Sequence, residues 1–146
     1  MPAEHNKLIK LGQIEIHFLL DGDDTDGRQC AFEFIVPPGA RVPAAHYHEN
    51  VDEFTYGLEG SLTFTVGGVP HQLGPGQSVF VPRCVAHHFE NKSAETTRTL
   101  AVLTPADIGP AYFHDVAALI AKGGPPDPLQ LAEVMRRHGL VVTPNV

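Results

Sequence analysis

The 146-residue sequence has few basic residues, few cysteines and no long apolar run, and each scarcity excludes a class of protein. No apolar stretch approaches the roughly 18 residues that a membrane helix needs, so none is predicted. Ten basic residues stand against 17 acidic ones, a net charge of −7, which argues against nucleic acid or an anionic membrane surface as a partner. The polar first residues lack the apolar stretch of a signal peptide, and we therefore expect a cytoplasmic location.

Only two cysteines are present, and they lie far apart without a C-x-x-C pair. We interpret Cys30 and Cys84 as buried free thiols in a reducing compartment. Because Cys84 lies three residues before His87, a thiolate ligand for a metal at this position is the alternative interpretation.

The 14 glycines and 13 prolines fall between short apolar runs, which is typical of an all-β domain. Residues 61–66 alternate between polar and apolar side chains, and Gly67-Gly68 directly after them predicts a two-residue hairpin turn. Residues 79–81 are apolar on both faces, which predicts a strand that is covered on both sides. The predicted strands are residues 14–20, 30–36, 51–58, 61–66, 69–73, 78–82, 86–91 and 97–103.

The β pattern stops near residue 105, and helical patterns follow. Residues 112–122 carry apolar side chains at helical spacing. A second helix is predicted over residues 129–138, with Asp127 as its N-cap and Pro128 at its first position. These patterns predict a β-barrel of residues 1–105 and a tail of two short helices, residues 106–146, that packs on it.

Four potential metal ligands come from two short stretches of the chain. Because successive side chains of a strand alternate between its faces, His46 and His48 point the same way. The turn-forming residues 49–52 predict a bend, after which Glu53 would face His48 across a pair of strands. His87 follows on a later predicted strand. An H-x-H pair often has no metal role, but these four side chains together would hold one divalent cation.

Both stretches resemble the two conserved motifs of the cupin superfamily. The first motif reads Gly39-x6-His46-x-His48-x4-Glu53-x6-Gly60, and the second reads Gly76-x5-Pro82-x-Cys84-x2-His87-x3-Asn91. One extra residue precedes the first histidine, and Cys84 stands where the family has glycine; both departures concern turns. The resemblance implies a double-stranded β-helix, a small jelly-roll-like barrel, whose interior metal ligands are His46, His48, Glu53 and His87.

The resemblance also implies a metal-dependent enzyme that acts on a small organic molecule. Three neutral imidazoles and a carboxylate accept Fe(II), Mn, Ni, Cu, Co or Zn, and leave two positions of an octahedral metal open. Dioxygenase-like chemistry ranks first, by similarity to cupins that cleave flavonols, with Glu53 as candidate catalytic base. The alternatives are non-redox isomerase, lyase or cyclase chemistry and a non-catalytic binding barrel. By analogy with other small cupins, we expect a homodimer.

Overall fold

The computed structural model describes residues 7–144. Residues 1–6 and 145–146, which include the start of the predicted barrel and the end of the predicted tail, lie outside the described residues. Among the described helices, none is both long and apolar enough to cross a membrane. The elements are β1 (Lys7–Leu11), β2 (Ile14–Leu20), α1 (Gly22–Thr25), β3 (Cys30–Val36), β4 (His46–His48), β5 (Asp52–Glu59), β6 (Leu62–Val66), β7 (Val69–Leu73), β8 (Ser78–Val81), β9 (His87–Glu90), β10 (Thr97–Thr104), α2 (Pro110–Ile120), α3 (Pro128–Arg137) and β11 (Leu140–Val142).

Two antiparallel sheets make up most of the described fold. One has six strands in the order β1-β2-β3-β10-β5-β8, and the other has five in the order β11-β4-β9-β6-β7. Burial alternates along strands such as β10, as expected when one face of a sheet packs inward. Buried side chains of both sheets belong to one hydrophobic core. The chain is mostly β, as predicted, and a double-stranded β-helix fits this arrangement.

The eight predicted strands all occur, with bounds within one residue of the prediction. Gly67 and Gly68 both have positive φ angles, 57° and 82°, as the predicted hairpin turn requires. The sequence did not reveal β1, the short helix α1 or β11. β11 has three residues, which is too short to show a periodicity that separates a strand from an irregular segment.

The tail adds a strand to the smaller sheet. Its two helices are close to the predicted ones, and the Asp127 side chain accepts a hydrogen bond from the backbone of the first turn of α3 at 3.0 Å. After Gly139, whose φ is 82°, β11 pairs with β4 so that Leu140 lies opposite His48. The division of the chain into a barrel and a tail at residue 105 stays a prediction. β11 lies directly beside β4, the strand that carries the predicted metal ligands His46 and His48.

The outer face of the six-stranded sheet is apolar and exposed around β5 and β8. Phe80 is 56% exposed, and its cross-strand neighbour Phe54 is 41% exposed. Val79 and Val81 are buried, so the prediction that residues 79–81 are covered on both sides is wrong within the described chain. A strand that is apolar on both faces has two surfaces to cover, and only the inner one is covered here.

The turn between β8 and β9 corrects a second prediction. Cys30 is buried, but Cys84 is exposed, so the interpretation of both cysteines as buried thiols is wrong for Cys84. Its φ of 67° lies in the left-handed region that glycine prefers, which gives a physical reason for glycine in the family motif. The Cys84 backbone N–H donates to the carbonyl oxygen of His48 at 2.7 Å, which ties this turn to β4.

Candidate metal centre

Three histidine side chains converge inside the barrel. His46 and His48 lie two residues apart on β4 and share a face, and His46 is directly opposite His87 on the neighbouring strand β9. The ring centroids are 5.2 Å apart for His46 and His48, 4.7 Å for His46 and His87, and 4.6 Å for His48 and His87. One ring nitrogen from each lies within 4.8 Å of the others, and all three residues are buried. We call these residues the histidine triad.

Backbone hydrogen bonds orient two of the three imidazoles. Nδ1 of His46 is 2.7 Å from the carbonyl oxygen of Ala44, and Nδ1 of His87 is 3.0 Å from that of Val85. A carbonyl only accepts, so in both rings Nδ1 carries the proton and donates it. Nε2 then keeps a free lone pair, which is the form that binds a metal.

The third imidazole has an unsatisfied buried atom. Among the described residues, no group forms a hydrogen bond of good geometry with the buried Nδ1 of His48, although the backbone of Val51 interacts with this imidazole. An unpartnered buried polar atom costs free energy, about 1–3 kcal/mol. An ordered water at Nδ1, or a cation bound directly to Nδ1, would offset this cost.

Burial keeps the imidazoles of β4 neutral. It lowers the pKa of His46 to about 3 and the pKa of His48 to about 2, and the nearby His87 adds to both effects. Neutral imidazole is the ligating form, so protons do not compete for these two residues at neutral pH. The donor set therefore fits a divalent transition metal.

Glu53 belongs to the opposite sheet. The predicted bend occurs, because residues 49–51 separate β4 from β5. The two strands are not paired, however, since β5 lies in the six-stranded sheet and β4 in the five-stranded one. The prediction that Glu53 faces His48 across a strand pair is therefore wrong. The two sheets bring them together instead, because Glu53 and the histidine triad line one cavity.

Glu53 is buried in this cavity, at 5% exposure. It is not part of the cluster of three histidines whose ring nitrogens lie within 4.8 Å of one another. Burial raises its pKa, an effect that the neighbouring His87 and a hydrogen bond from Thr55 oppose. Oγ1 of Thr55 donates that bond to Oε2 of Glu53 at 3.2 Å. A coordinating role for Glu53 stays a prediction.

The cavity beside the triad, which we call the chamber, has a volume of about 40 Å³. Both sheets and the tail contribute to its walls, and most of its lining is apolar. The lining residues are Leu11, Phe32, Phe34, Val42, Pro43, His46, His48, Glu53, Phe64, His87, His88, Phe89, Leu103, Ile108, Tyr112, Phe113 and Leu140.

The sequence did not identify the contribution of the tail to the chamber. Tyr112 and Phe113 lie in the first turn of α2, and Leu140 lies on β11. Their apolar character was visible, but their position beside the metal ligands depends on tertiary packing. Cys84 lies outside the triad; its Sγ is 3.5 Å from the carbonyl oxygen of Glu49.

Asn91, the last residue of the second motif, has a structural position. It is fully buried, and its Nδ2 donates to the carbonyl oxygens of Val36 at 2.8 Å and Glu95 at 2.7 Å. Its Oδ1 accepts from the backbone of Ser93 at 2.9 Å. These bonds hold the loop after β9 and leave Asn91 outside the chamber lining.

Comparison with known proteins finds similarity to one protein family over about half of the chain. Residues 32–103 match the family model described as "Cupin domain". Protein SchB of Streptomyces halstedii is 34% identical over 80 residues, which is 55% of this chain and 57% of that protein. Quercetin 2,3-dioxygenase of Bacillus subtilis (strain 168) is 34% identical over 89 residues, which is 61% of this chain and 26% of that protein. The chain thus spans little more than half, or less, of these relatives' lengths.

A solved structure is similar over most of the chain. The polyketide cyclase RemF from Streptomyces resistomycificus has a TM-score of 0.60 and 27% sequence identity. The similarity covers 71% of this chain and 76% of that one. The shared region is thus larger than the segment matched by the family model.

Proposed function

We propose that the chain belongs to the cupin superfamily, whose domain model matches residues 32–103, and that it is a metal-dependent enzyme that acts on a small organic molecule by dioxygenase-like chemistry. The observation that carries the proposal is the buried triad of imidazoles that lines one cavity with the buried carboxylate of Glu53. Similarity to a quercetin 2,3-dioxygenase supports the reaction class.

His46, His48 and His87 would hold the cation, with Glu53 as a fourth ligand or as a base. When bound, a divalent transition metal supplies positive charge that polarises bound oxygen atoms, and a redox-active one also exchanges electrons. The apolar walls exclude water, which strengthens the electrostatic interactions of the reacting groups. Glu53 would accept a proton at its carboxylate from a substrate hydroxyl group or enol, and Thr55 would hold its Oε2 in place.

We expect the protein to consume oxygen when it is loaded with a redox-active metal. The experiment measures O₂ uptake with an oxygen electrode for protein loaded separately with Fe(II), Mn, Ni, Cu or Co, across a panel of enols, catechols and flavonols. The zinc-loaded protein is the control, because Zn²⁺ has no redox chemistry. If no combination of metal and substrate consumes oxygen above that control, the dioxygenase proposal fails.

Non-redox catalysis by the same centre is the second candidate. The structural similarity to the polyketide cyclase RemF favours it, because cyclisation can proceed without a net redox change. In this case the cation acts only as a Lewis acid. Anaerobic turnover by the zinc-loaded protein would support this candidate. Tight binding of a metabolite without any product would instead favour a non-catalytic binding barrel.

We further propose that the exposed apolar face of the six-stranded sheet forms a homodimer interface. Phe54, Tyr56 and Phe80 are 41%, 37% and 56% exposed and lie on the adjacent strands β5 and β8. Clustered aromatic side chains of this kind are enriched at interfaces between subunits.

Phe80→Glu is expected to convert the dimer into a monomer, because it places a charge in the middle of the apolar contact. The mass is measured by light scattering at micromolar concentrations. Leu129→Glu is the matched control: Leu129 is 82% exposed on α3, away from this face, and its replacement should leave the mass unchanged. A monomeric wild-type protein, or equal masses for wild type and Phe80→Glu, contradicts the proposed interface.

A cytoplasmic location completes the proposal. Cys30 and Cys84 are both free, and Cys84 is exposed. An exposed free thiol persists most readily in a reducing compartment.

A further inference from the structure

The chamber is too small to enclose an organic substrate. Its volume is about 40 Å³, and a buried water needs roughly 10–15 Å³ of such volume, so the chamber corresponds to only a few water molecules. An apolar cavity that holds one benzene ring measures roughly 150 Å³. The chamber therefore has room for the small ligands of a cation, such as water or O₂, and the rest of a substrate must lie outside it.

A larger groove adjoins the chamber beside β9. This groove, which we call the outer groove, is lined by residues 41–45 and 88–90 and has a volume of about 230 Å³. Four residues line both cavities: Val42, Pro43, His88 and Phe89. The outer groove thus has the size of a small organic molecule and shares a wall with the chamber.

This shared wall lies at an interruption in the hydrogen-bond ladder of β9. The backbone N–H of Val42 donates to the carbonyl oxygen of Phe89 at 3.1 Å, and further along the chain His46 lies opposite His87. Between these two pairings, three residues on one side face a single residue of β9. Such a bulge leaves part of the backbone unpaired, so the two cavities meet where the ladder is interrupted.

Arg41 places a positive charge in the outer groove. It is exposed, and an isolated bridge pairs its backbone with that of Glu90. Among the described residues Arg41 forms no ion pair, whereas Arg83, Arg98 and Arg136 each form one. A guanidinium group binds a carboxylate with two parallel hydrogen bonds, so Arg41 is available to a carboxylate in this groove.

The pairings of β9 set the length of a ligand that reaches both Arg41 and the histidine triad. Arg41 lies opposite Glu90, and His46 lies opposite His87. Glu90 and His87 are three residues apart on β9, and a strand rises about 3.3 Å per residue, so the two positions are about 10 Å apart. A molecule with a carboxylate at one end and a polar oxygen at the other end can bridge this distance.

The charges of the site favour a ligand with one negative group. A cation held by the triad would add positive charge at the chamber end, and Arg41 supplies it at the other end. Glu90 also lines the outer groove, and Glu53 lines the chamber. These two carboxylates disfavour further negative groups on the same ligand.

We propose that the outer groove binds the carboxylate end of a small organic acid through Arg41, and that the other end of this substrate passes the bulge to the histidine triad. This inference rests on the proposed function, because it names the substrate class of the same site. The apolar part of the substrate lies against Val42, Pro43 and Phe89, which line both cavities.

The first test compares benzoate with benzamide, which have nearly the same shape and differ in charge. Both are titrated into isotope-labelled wild-type protein, metal-free and loaded with Zn²⁺, and the NMR shifts of the backbone amides report binding. In both forms we expect a dissociation constant of about 1 mM or tighter for benzoate, and about 5-fold or more weaker binding of benzamide. The amides of Arg41, Val42 and residues 88–90 should shift most.

The second test changes the charges of the outer groove. Arg41→Gln should weaken benzoate binding about 5-fold or more and leave benzamide binding unchanged. Arg137→Gln is the matched control, because Arg137 is exposed on α3 and lines neither cavity, and it should change neither affinity. Glu90→Gln should act in the opposite direction and strengthen benzoate binding about 2-fold or more, because it removes a negative charge from the groove.

The inference is overturned if benzoate and benzamide bind equally well, or if benzoate does not bind at concentrations up to about 10 mM. It is also overturned if Arg41→Gln and Arg137→Gln have the same effect, or if the shifted amides lie outside the outer groove. A preference for benzoate that requires Zn²⁺ and is insensitive to Arg41→Gln overturns it too, because the cation would then be the anion site.

A separate titration of the wild-type protein with Zn²⁺ distinguishes this inference from the proposed function. Binding of Zn²⁺ without an Arg41-dependent preference for benzoate defeats the substrate class and leaves the proposed function standing. Absence of metal binding defeats the proposed function itself, whatever the outer groove binds.

Discussion

Replacement of His48 by alanine is expected to abolish stable metal binding. His48 lies within 4.8 Å, nitrogen to nitrogen, of both other imidazoles, so its loss leaves two ligands from β4 and β9. Loss of even an indirect partner of a metal ligand costs about 10–100-fold in affinity, and loss of a ligand itself should cost more. We expect metal analysis of the purified protein to give close to one equivalent for the wild type and a trace for His48→Ala.

Thermal unfolding provides a second readout of the same variant. A ligand at 100 times its dissociation constant stabilises a protein by about 2.7 kcal/mol, which is several degrees in Tm for a chain of this size. Addition of metal should therefore raise the Tm of the wild type and leave that of His48→Ala unchanged. In the absence of metal, His48→Ala should unfold close to the wild type or slightly above it, because it removes the unsatisfied Nδ1 but opens a small cavity.

His71→Ala is the matched control for this experiment. His71 is exposed on β7 and lies outside the triad, so its replacement should change neither the metal content nor the response of Tm to metal. Equal metal content in His48→Ala and wild type, or a wild type that takes up no divalent metal at all, would contradict the metal centre.

The metal centre shows which parts of a site a sequence can predict. His46 and His48 share a face because strand side chains alternate, and this local rule holds wherever a regular strand forms. Their relation to His87 required a pairing of β4 with β9 across 38 intervening residues, which periodicity alone does not determine. The family motifs supplied that information, because their spacing reflects one conserved tertiary arrangement.

The position of Glu53 could not be predicted from the local sequence alone. The turn formers before it predicted the break in the chain, and the break occurs. The direction that the chain takes after the break depends on packing, and the chain enters the opposite sheet rather than the neighbouring strand. Likewise β11 could not be predicted, since three residues carry no periodicity and its place beside β4 depends on the helices before it.

The exposure of Phe80 could not be predicted either, for a different reason. The apolar pattern of residues 79–81 shows that both faces of the strand are apolar, but the sequence does not state what covers each face. Within the described chain only the inner face is covered. The prediction failed because an apolar face is not always covered within its own chain, and this exposed face is the basis of the homodimer proposal.

Replacement of Glu53 by glutamine is expected to reduce turnover by about 10²–10⁴-fold, the usual contribution of a general base. Glutamine keeps the shape of the side chain and can still accept the hydrogen bond from Thr55, but it cannot take up a proton. Because Glu53 lies outside the group of nitrogens within 4.8 Å, we expect Glu53→Gln to retain most of its bound metal. Oxygen uptake and metal content are measured on the same preparations.

Stability against pH gives a test of Glu53 that needs no substrate. Burial raises the pKa of this carboxyl group, so in the metal-free protein its protonation contributes to the free energy of unfolding. This contribution is fully present below the unfolded pKa of about 4.5 and is lost as the pH rises through the folded pKa. Glutamine imitates the protonated form at every pH. Metal-free Glu53→Gln should therefore unfold at a higher temperature than metal-free wild type at pH 8, by a few degrees, and the difference should disappear toward pH 4.

A bound cation reverses this comparison only if Glu53 coordinates it. A ligated carboxylate is stabilised in its charged form, so metal-loaded wild type would then unfold at a higher temperature than metal-loaded Glu53→Gln at pH 8. If Glu53 acts only as a base, the metal should raise the Tm of both proteins by similar amounts. Glu59→Gln is the control: Glu59 lies at the exposed end of the same strand, 65% accessible beside Arg98, and its loss should produce neither pattern. Loss of turnover in Glu59→Gln as severe as in Glu53→Gln would contradict a specific role for the buried carboxylate.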